Sequence, residues 1–361
     1  DSTGASLATF NNIRFGTTTG SATFTLGSTL DVDGTFTVSR GTLARASTAI
    51  TVAGNLLTEA NGFWTGVGTT TFDGNGATTW RDQNATLQNI GRVVVDGTSK
   101  AVTLASNVAS QSVFIGANDT LDASASNYDI TIYGVWVNQN NFVPRQGEVF
   151  FAATSSGQSI TTAGDSFYDL TFNGTSGGWS FTETTLSVSN NIRFQAGSAT
   201  LPTGTTTVAG SFDATGGTFL HNNGTIAFTS NGAETITFAG SLFTNVAYNL
   251  AFSGSGGSWA MSDTNATATN AVRISLGAVT FPTGAFAIGN YLADVGGSFV
   301  GNNGTVRMYS GTTGTITSGG SSFSNLRFHG VGTFSFVDAN ATVLEDITFV
   351  QGTTVLPTGT L

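Results

Sequence analysis

The residues able to do chemistry are few. Two histidines, His221 and His329, stand far apart, Lys100 is the only lysine, and there is no cysteine. The histidines share no metal-ligand spacing, and without cysteine there is no thiolate nucleophile, thiolate metal site or disulfide. No phosphate-binding Walker loop occurs. Carboxylate chemistry remains to be weighed, because polysaccharide-cleaving enzymes work with acidic residues grouped on one face. The densest acidic groups are "DVDG" at Asp31 to Gly34 and "ANDTLD" with Asp119 and Asp122. Neither continues into the Asp/Asn spacing and final Glu of a calcium loop. Asp263 in "SDTNAT", Asp338 in "VDANAT" and Glu183 in "TETTLS" recur near one phase of a longer repeat and read as solvated turn residues. Only around Lys100, Asp119, Asp122, Arg145 and Glu148 does the pattern break with mixed charge, so a polysaccharide-acting site would fall there. A glycan-binding module would use Trp64, Trp136, Trp179 or Trp259 as exposed contacts. The histidines read as solvated corner or face residues. No residue is assigned a catalytic role, and no cofactor or metal is expected.

Composition narrows the setting. Charged residues are 9% of 361, against about 25% in an average globular chain, while glycine reaches 48. With 28 Phe and 39% hydrophobic residues the chain has too much apolar surface to stay unfolded. A net charge of −10 argues against nucleic acid or an anionic membrane as partner. No run of eighteen apolar residues is present, and "DSTGASLATF" is not a signal peptide.

Whatever positions those residues is repetitive. "TFLHNNGTIAF" at 218 to 228 returns as "SFVGNNGTVRM" at 298 to 308. Phe63, Phe142, Phe219 and Phe299 lie 79, 77 and 80 residues apart, and a second landmark at Phe10, Leu87, Phe167, Phe243 and Phe323 steps by 77, 80, 76 and 80. The repeats are therefore 1–77, 78–157, 158–233, 234–313 and a partial 314–361. Each is itself periodic: Val32 and Val52, like Val188 and Val208, stand twenty apart in similar phrases. Tandem β-sandwich domains are the alternative, but a sandwich has no reason to make one strand resemble the next. A coil whose turns share one environment does. The expected fold is all-β, a single-stranded parallel β-helix (β-solenoid) with about 20 residues per rung, four rungs per repeat, continuous over 1–361. Ile226, Phe228, Val306 and Met308 should point inward, with Ala227 and Arg307 outward. Asn222-Asn223 and Asn302-Asn303 read as corners, since asparagine tolerates positive φ and can form ladders. "LPTG" at Leu201 and Leu356 and "FPTG" at Phe281 belong to the repeat, lacking the extra residue of a sortase signal. Asn84, Asn118, Asn173, Asn223, Asn265, Asn303 and Asn340 form sequons that turn composition alone would generate.

The phrasing "DLTFNGTSGGW" at 169 to 179, "LPTG" at 201 and "NNGTI" at 222 resembles the Gly/Thr/Asn-rich β-solenoid surface proteins of bacteria. These include autotransporter passengers, filamentous-haemagglutinin-like adhesins and long repeat proteins of uncultivated lineages. The resemblance implies an exported, non-catalytic scaffold at the bacterial cell surface or outside the cell, structural or adhesive. Uncapped ends at different phases of the repeat add the expectation of axial self-association into a filament or sheath. Expected partners are further copies of the chain, then glycans or a cell surface, without nucleic acid and without membrane insertion.

Overall fold

Stacking of like residues on successive parallel strands organises the fold. The computed structural model describes residues 9–19, 21–239 and 245–361, so the landmark at Phe243 lies outside the described residues. The chain forms two compact units, 1–183 and 184–361. Each is a parallel β-solenoid. Among the described residues there is no helix, and therefore none long and apolar enough to cross a membrane.

In the first unit, Leu30–Val32, Ile50–Val52 and Thr69–Phe72 pair in parallel with Leu30, Ile50 and Thr70 in one column. The column continues through Arg92–Val95, Ser112–Ile115, Trp136–Asn138 and Gln158–Thr161. A nine-stranded parallel sheet runs beside it from Ile13–Gly16 to Asn141–Val143. The two surfaces meet through inward aromatics, Phe72 against Trp80 at 6.1 Å and Trp136 against Phe142 at 4.8 Å. The second unit carries a thirteen-stranded sheet that begins at Leu186–Val188 and stacks Thr205–Val208, Thr225–Phe228 and Ala247–Phe252. Every strand pairing described is parallel, which rules out sandwich domains. Steps along the columns run from 19 residues, as between Ile130 and Val149, through 20 between Leu30 and Ile50, to 25 between Ala233 and Ser258.

The core follows from this register. Parallel strands lie ~4.8 Å apart, so an inward phenylalanine sits on the phenylalanine beneath it. Phe151 and Phe172 stack at 5.6 Å, Phe228 and Phe252 at 5.2 Å, Phe328 and Phe349 at 5.3 Å. Burying each such side chain stabilises the fold by roughly 1.5–3 kcal/mol. Ile226, Phe228, Val306 and Met308 all face inward as expected. Phe63 does not: it is 41% exposed, and its neighbour Trp64 enters the core, because Thr42 and Leu43 beneath set the register so that Trp64 stacks on buried Leu43.

The twice-written phrase has a mechanical explanation. Asn222, Asn223, Asn302 and Asn303 have φ of 47°, 57°, 53° and 57°, the left-handed corner that asparagine tolerates. Each corner rests on the Pro-Thr-Gly of the rung below: Thr225 N donates to Gly204 O and Thr305 N to Gly284 O, both at 2.7 Å. A Cβ at Gly224 would lie 2.3 Å from Pro202 O, and one at Gly304 2.1 Å from Pro282 O. The "PTG" and "NNGT" motifs are thus two halves of one contact. The asparagine ladder forms elsewhere, where Asn290 donates to Asn270 at 2.8 Å and Asn270 to Asn249 at 2.7 Å. "GGW" has a similar logic, since a Cβ at Gly177 would meet the Trp179 ring at 2.4 Å and one at Gly257 the Trp259 ring at 2.8 Å.

Replacing Asn303 by alanine should lower stability by about 1–2 kcal/mol, the left-handed penalty, whereas Asn303→Gly should cost little. Gly304→Ala should be worse than Asn303→Gly because it drives a carbon into backbone oxygen. Denaturant midpoints of the three variants check the order.

Candidate functional site

Lys100 and Asp122 lie on adjacent rungs of the nine-stranded sheet, on Ser99–Leu104 and Thr120–Asp122, but on opposite faces. Lys100 has the parity of Val102 and Leu104 and is 1% exposed, its Nζ donating to Ala53 O. Burial lowers its pKa, opposed by the charges of Asp73 and Asp119. Asp73 is pushed upward, chiefly by burial and then by Asp31, and its Oδ1 has no hydrogen-bond partner among the described residues. Asp119 turns back beneath Lys100, accepting from Lys100 N at 2.6 Å and Gly97 N at 3.0 Å. Asp122 and Arg145 form an outward ion pair at 2.7 Å. Glu148 belongs to another strand, where its carboxylate accepts from Thr171 Oγ1. The five residues expected to mark a polysaccharide-acting site are therefore divided between interior and surface. Alternation explains the division, since a strand cannot present Lys100 and an outward neighbour to the same side.

The recurring carboxylates have a shared task. Glu183 accepts from Thr162 N and Ala163 N at 2.6 and 3.0 Å, and Asp263 from Phe238 N and Ala239 N at 2.6 and 2.8 Å. Asp338 accepts from Ser318 N. Each corner carries a left-handed residue, Ala163, Ala239 or Gly319, and at the first two it turns successive N–H groups toward one carboxylate. Such backbone nests bind anions, and here the anion is a side chain one rung away. Asp31 similarly accepts from Thr51 Oγ1 at 2.9 Å. Among the described residues no three His, Asp or Glu side chains gather closely enough to hold a metal ion.

Trp64, Trp136, Trp179 and Trp259 are all buried, which removes them as glycan contacts. Their size and the period-two alternation place them among the phenylalanines, and Trp64 Nε1 donates inside to Thr58 Oγ1 at 2.9 Å. His221 is half-buried at its corner: Nδ1 accepts from Asn223 N at 2.9 Å, the ring stacks on Tyr248 at 5.5 Å, and burial lowers its pKa. Sequons Asn84, Asn265 and Asn340 already use their amides to hold neighbouring rungs. The run Gly174 to Gly178 has the letters of a nucleophile elbow, but it lies within the strand Asp169–Phe181, with no strand-to-helix turn.

Arg45 is the residue that sequence reasoning missed. It is 1% exposed and donates to Gly68 O at 2.7 Å, Thr70 Oγ1 at 2.8 Å, Thr69 O at 3.3 Å and Ile90 O. Its guanidinium lies 5.1 Å from the Trp64 ring centre, and burial lowers its pKa to about 10, so it stays charged at neutral pH. The available signal was parity, for Arg45 is two residues from Leu43 and shares its inward face. It ties the successive carbonyls of Gly68 and Thr69 and the Thr70 hydroxyl to the Ile90 carbonyl of the next rung, so that buried acceptors meet a donor.

No protein family, curated protein or solved structure matches the chain.

An amine-acylating reagent should leave Lys100 untouched in the native protein and modify it only in denaturant, read by peptide mass spectrometry. The Asp122 carboxyl is held below its ordinary value first by the Arg145 hydrogen bond and then by the Ser124 N–H and the Arg145 charge, against burial. A depressed folded-state pKa means that this contribution is complete above the unfolded value of about 3.8 and is lost as pH falls through the folded one. In Arg145→Ala the Asp122 titration midpoint, followed by carboxyl NMR, should rise.

Proposed function

We propose that the protein is a structural or adhesive scaffold of a bacterial cell surface or extracellular matrix, the subunit of a filament or sheath. The observation that carries this reading is the use of polar side chains: Glu183, Asp263, Asp338 and Asp119 cap backbone corners, and the buried cations Arg45 and Lys100 donate to backbone carbonyls. Groups that an enzyme would aim at a substrate are spent on joining one rung to the next. A surface of Thr, Ser, Asn and Gly with little charge and no cysteine suits an exported coil, as the resemblance to Gly/Thr/Asn-rich surface solenoids implies.

Axial self-association extends the same reading. In the second unit successive rungs stack like on like, Phe228 on Phe252 and Phe328 on Phe349, with ring planes 15° and 5° apart. Parallel strands that stack in this way are a template for further strands of the same kind. A second copy of the chain would supply them.

Electron microscopy and sedimentation across a concentration series should show linear assemblies that lengthen with concentration. Phe349→Asp should shift the onset at least tenfold upward without altering the circular dichroism of the chain. Particles that remain single at high concentration in both variants would count against the filament reading.

A further inference from the structure

In the second unit the strands Ala285–Ile288, Thr305–Met308, Asn325–Phe328 and Ile347–Phe349 stack in register. On their outward face Arg307 lies directly beside Arg327, with Ala287 before and Thr348 after them. Two cations at the ~4.8 Å spacing of neighbouring strands repel one another. Neither makes an ion pair with a described carboxylate. In a chain with only 11 basic residues and a net charge of −10, solubility does not require two of them to be stacked.

The surroundings hold the pair in place. One terminal nitrogen of Arg307 donates to His329 Nδ1 at 2.8 Å, which leaves the neutral ring's proton on Nε2. Arg307 Nε is buried with no acceptor among the described residues, so this guanidinium lies along the surface and does not reach freely into water. Tyr309, half-buried, and His329 form the next outward column, bordered by exposed Val331 and Val350. The nearest carboxylates of the following rung, Glu345 and Asp346, flank Asn325: its amide donates to Glu345 Oε2 at 2.8 Å and accepts from Asp346 N at 3.1 Å. Arg273 offers a comparison. Its neighbours in register are Ala251 and Ala293, and its Nε donates to Ser275 Oγ at 3.0 Å.

We propose that Arg307 and Arg327, with the Nε2–H of His329, form an oxyanion-binding site on the outer face of the second unit. Each guanidinium offers a planar fork of donors that matches two oxygens of a sulfate, phosphate or carboxylate. Two forks one rung apart take one tetrahedral anion between them, or successive anionic groups along an acidic glycan. The anion removes the repulsion that the stacked pair otherwise carries.

The test is a titration of the whole chain with sodium sulfate against sodium chloride at constant ionic strength, followed by calorimetry and by histidine NMR. Saturable sulfate binding is expected, with the His329 titration midpoint moving upward as the anion offsets the charge of Arg307, the main cause of its lowered pKa ahead of burial and Arg327. Arg307→Gln/Arg327→Gln should weaken binding at least tenfold, and Arg273→Gln should leave it unchanged. Asp346→Asn should keep or tighten it. A sulfated oligosaccharide binding more than tenfold tighter than sulfate identifies a glycan as the source of the anion; equal affinities identify the free ion. No saturable binding, or equal weakening by Arg273→Gln, overturns the proposal. Circular dichroism of each variant separates lost binding from lost folding.

Discussion

Parallel register at a single repeat distance is the constraint on which the structure rests. Once a strand lies directly over another, each inward residue meets its own counterpart and each corner lies over a corner. Phe228 on Phe252 and Phe328 on Phe349 are the apolar result. The asparagine ladder through Asn249, Asn270 and Asn290 is the polar one. Both arise because amides and rings stack well at the distance that main-chain hydrogen bonding imposes. The same rule makes charge awkward, because stacked like charges repel: Glu183 and Asp263 lie against backbone N–H groups and Asp122 against Arg145, whereas Glu148 beside Asp169 and Arg307 beside Arg327 are like charges in register.

The interior is less uniform than a hydrocarbon column. Arg45 and Lys100 bring positive charge inside, and both answer carbonyl oxygens that the turning backbone leaves exposed to the core. Desolvating a charge is costly unless several hydrogen bonds return the loss. Arg45 recovers it through its four acceptors and the face of Trp64. Lys100 has less, a bond from its Nζ to Ala53 O and the charges of Asp73 and Asp119, which oppose the lowering of its pKa by burial.

Fold was legible in the sequence because the solenoid repeats its environment and the chain repeats its letters. The inward positions of "TIAF" and "TVRM", the left-handed "NN" corners and the parallel stacking all followed from alternation and spacing. The candidate site was less legible for a physical reason. Proximity in sequence gathered Lys100, Asp119, Asp122, Arg145 and Glu148 into one group, but sidedness separates them. The tryptophans were the contacts a glycan-binding module would use, and alternation buries them instead. The glycines provide the space into which Trp179 and Trp259 fold. Arg45 and Lys100 share parity with Leu43, Val102 and Leu104, a signal present in the letters and opposed only by the expectation that cations face water.

The contact between "PTG" and "NNGT" has an evolutionary corollary. Each half is encoded some twenty codons from its mate and recurs eighty residues further on, at 202 to 204 with 222 to 225 and at 282 to 284 with 302 to 305. Gain or loss of a whole copy would therefore keep every lock paired, whereas loss of half a rung would strand one motif without its mate.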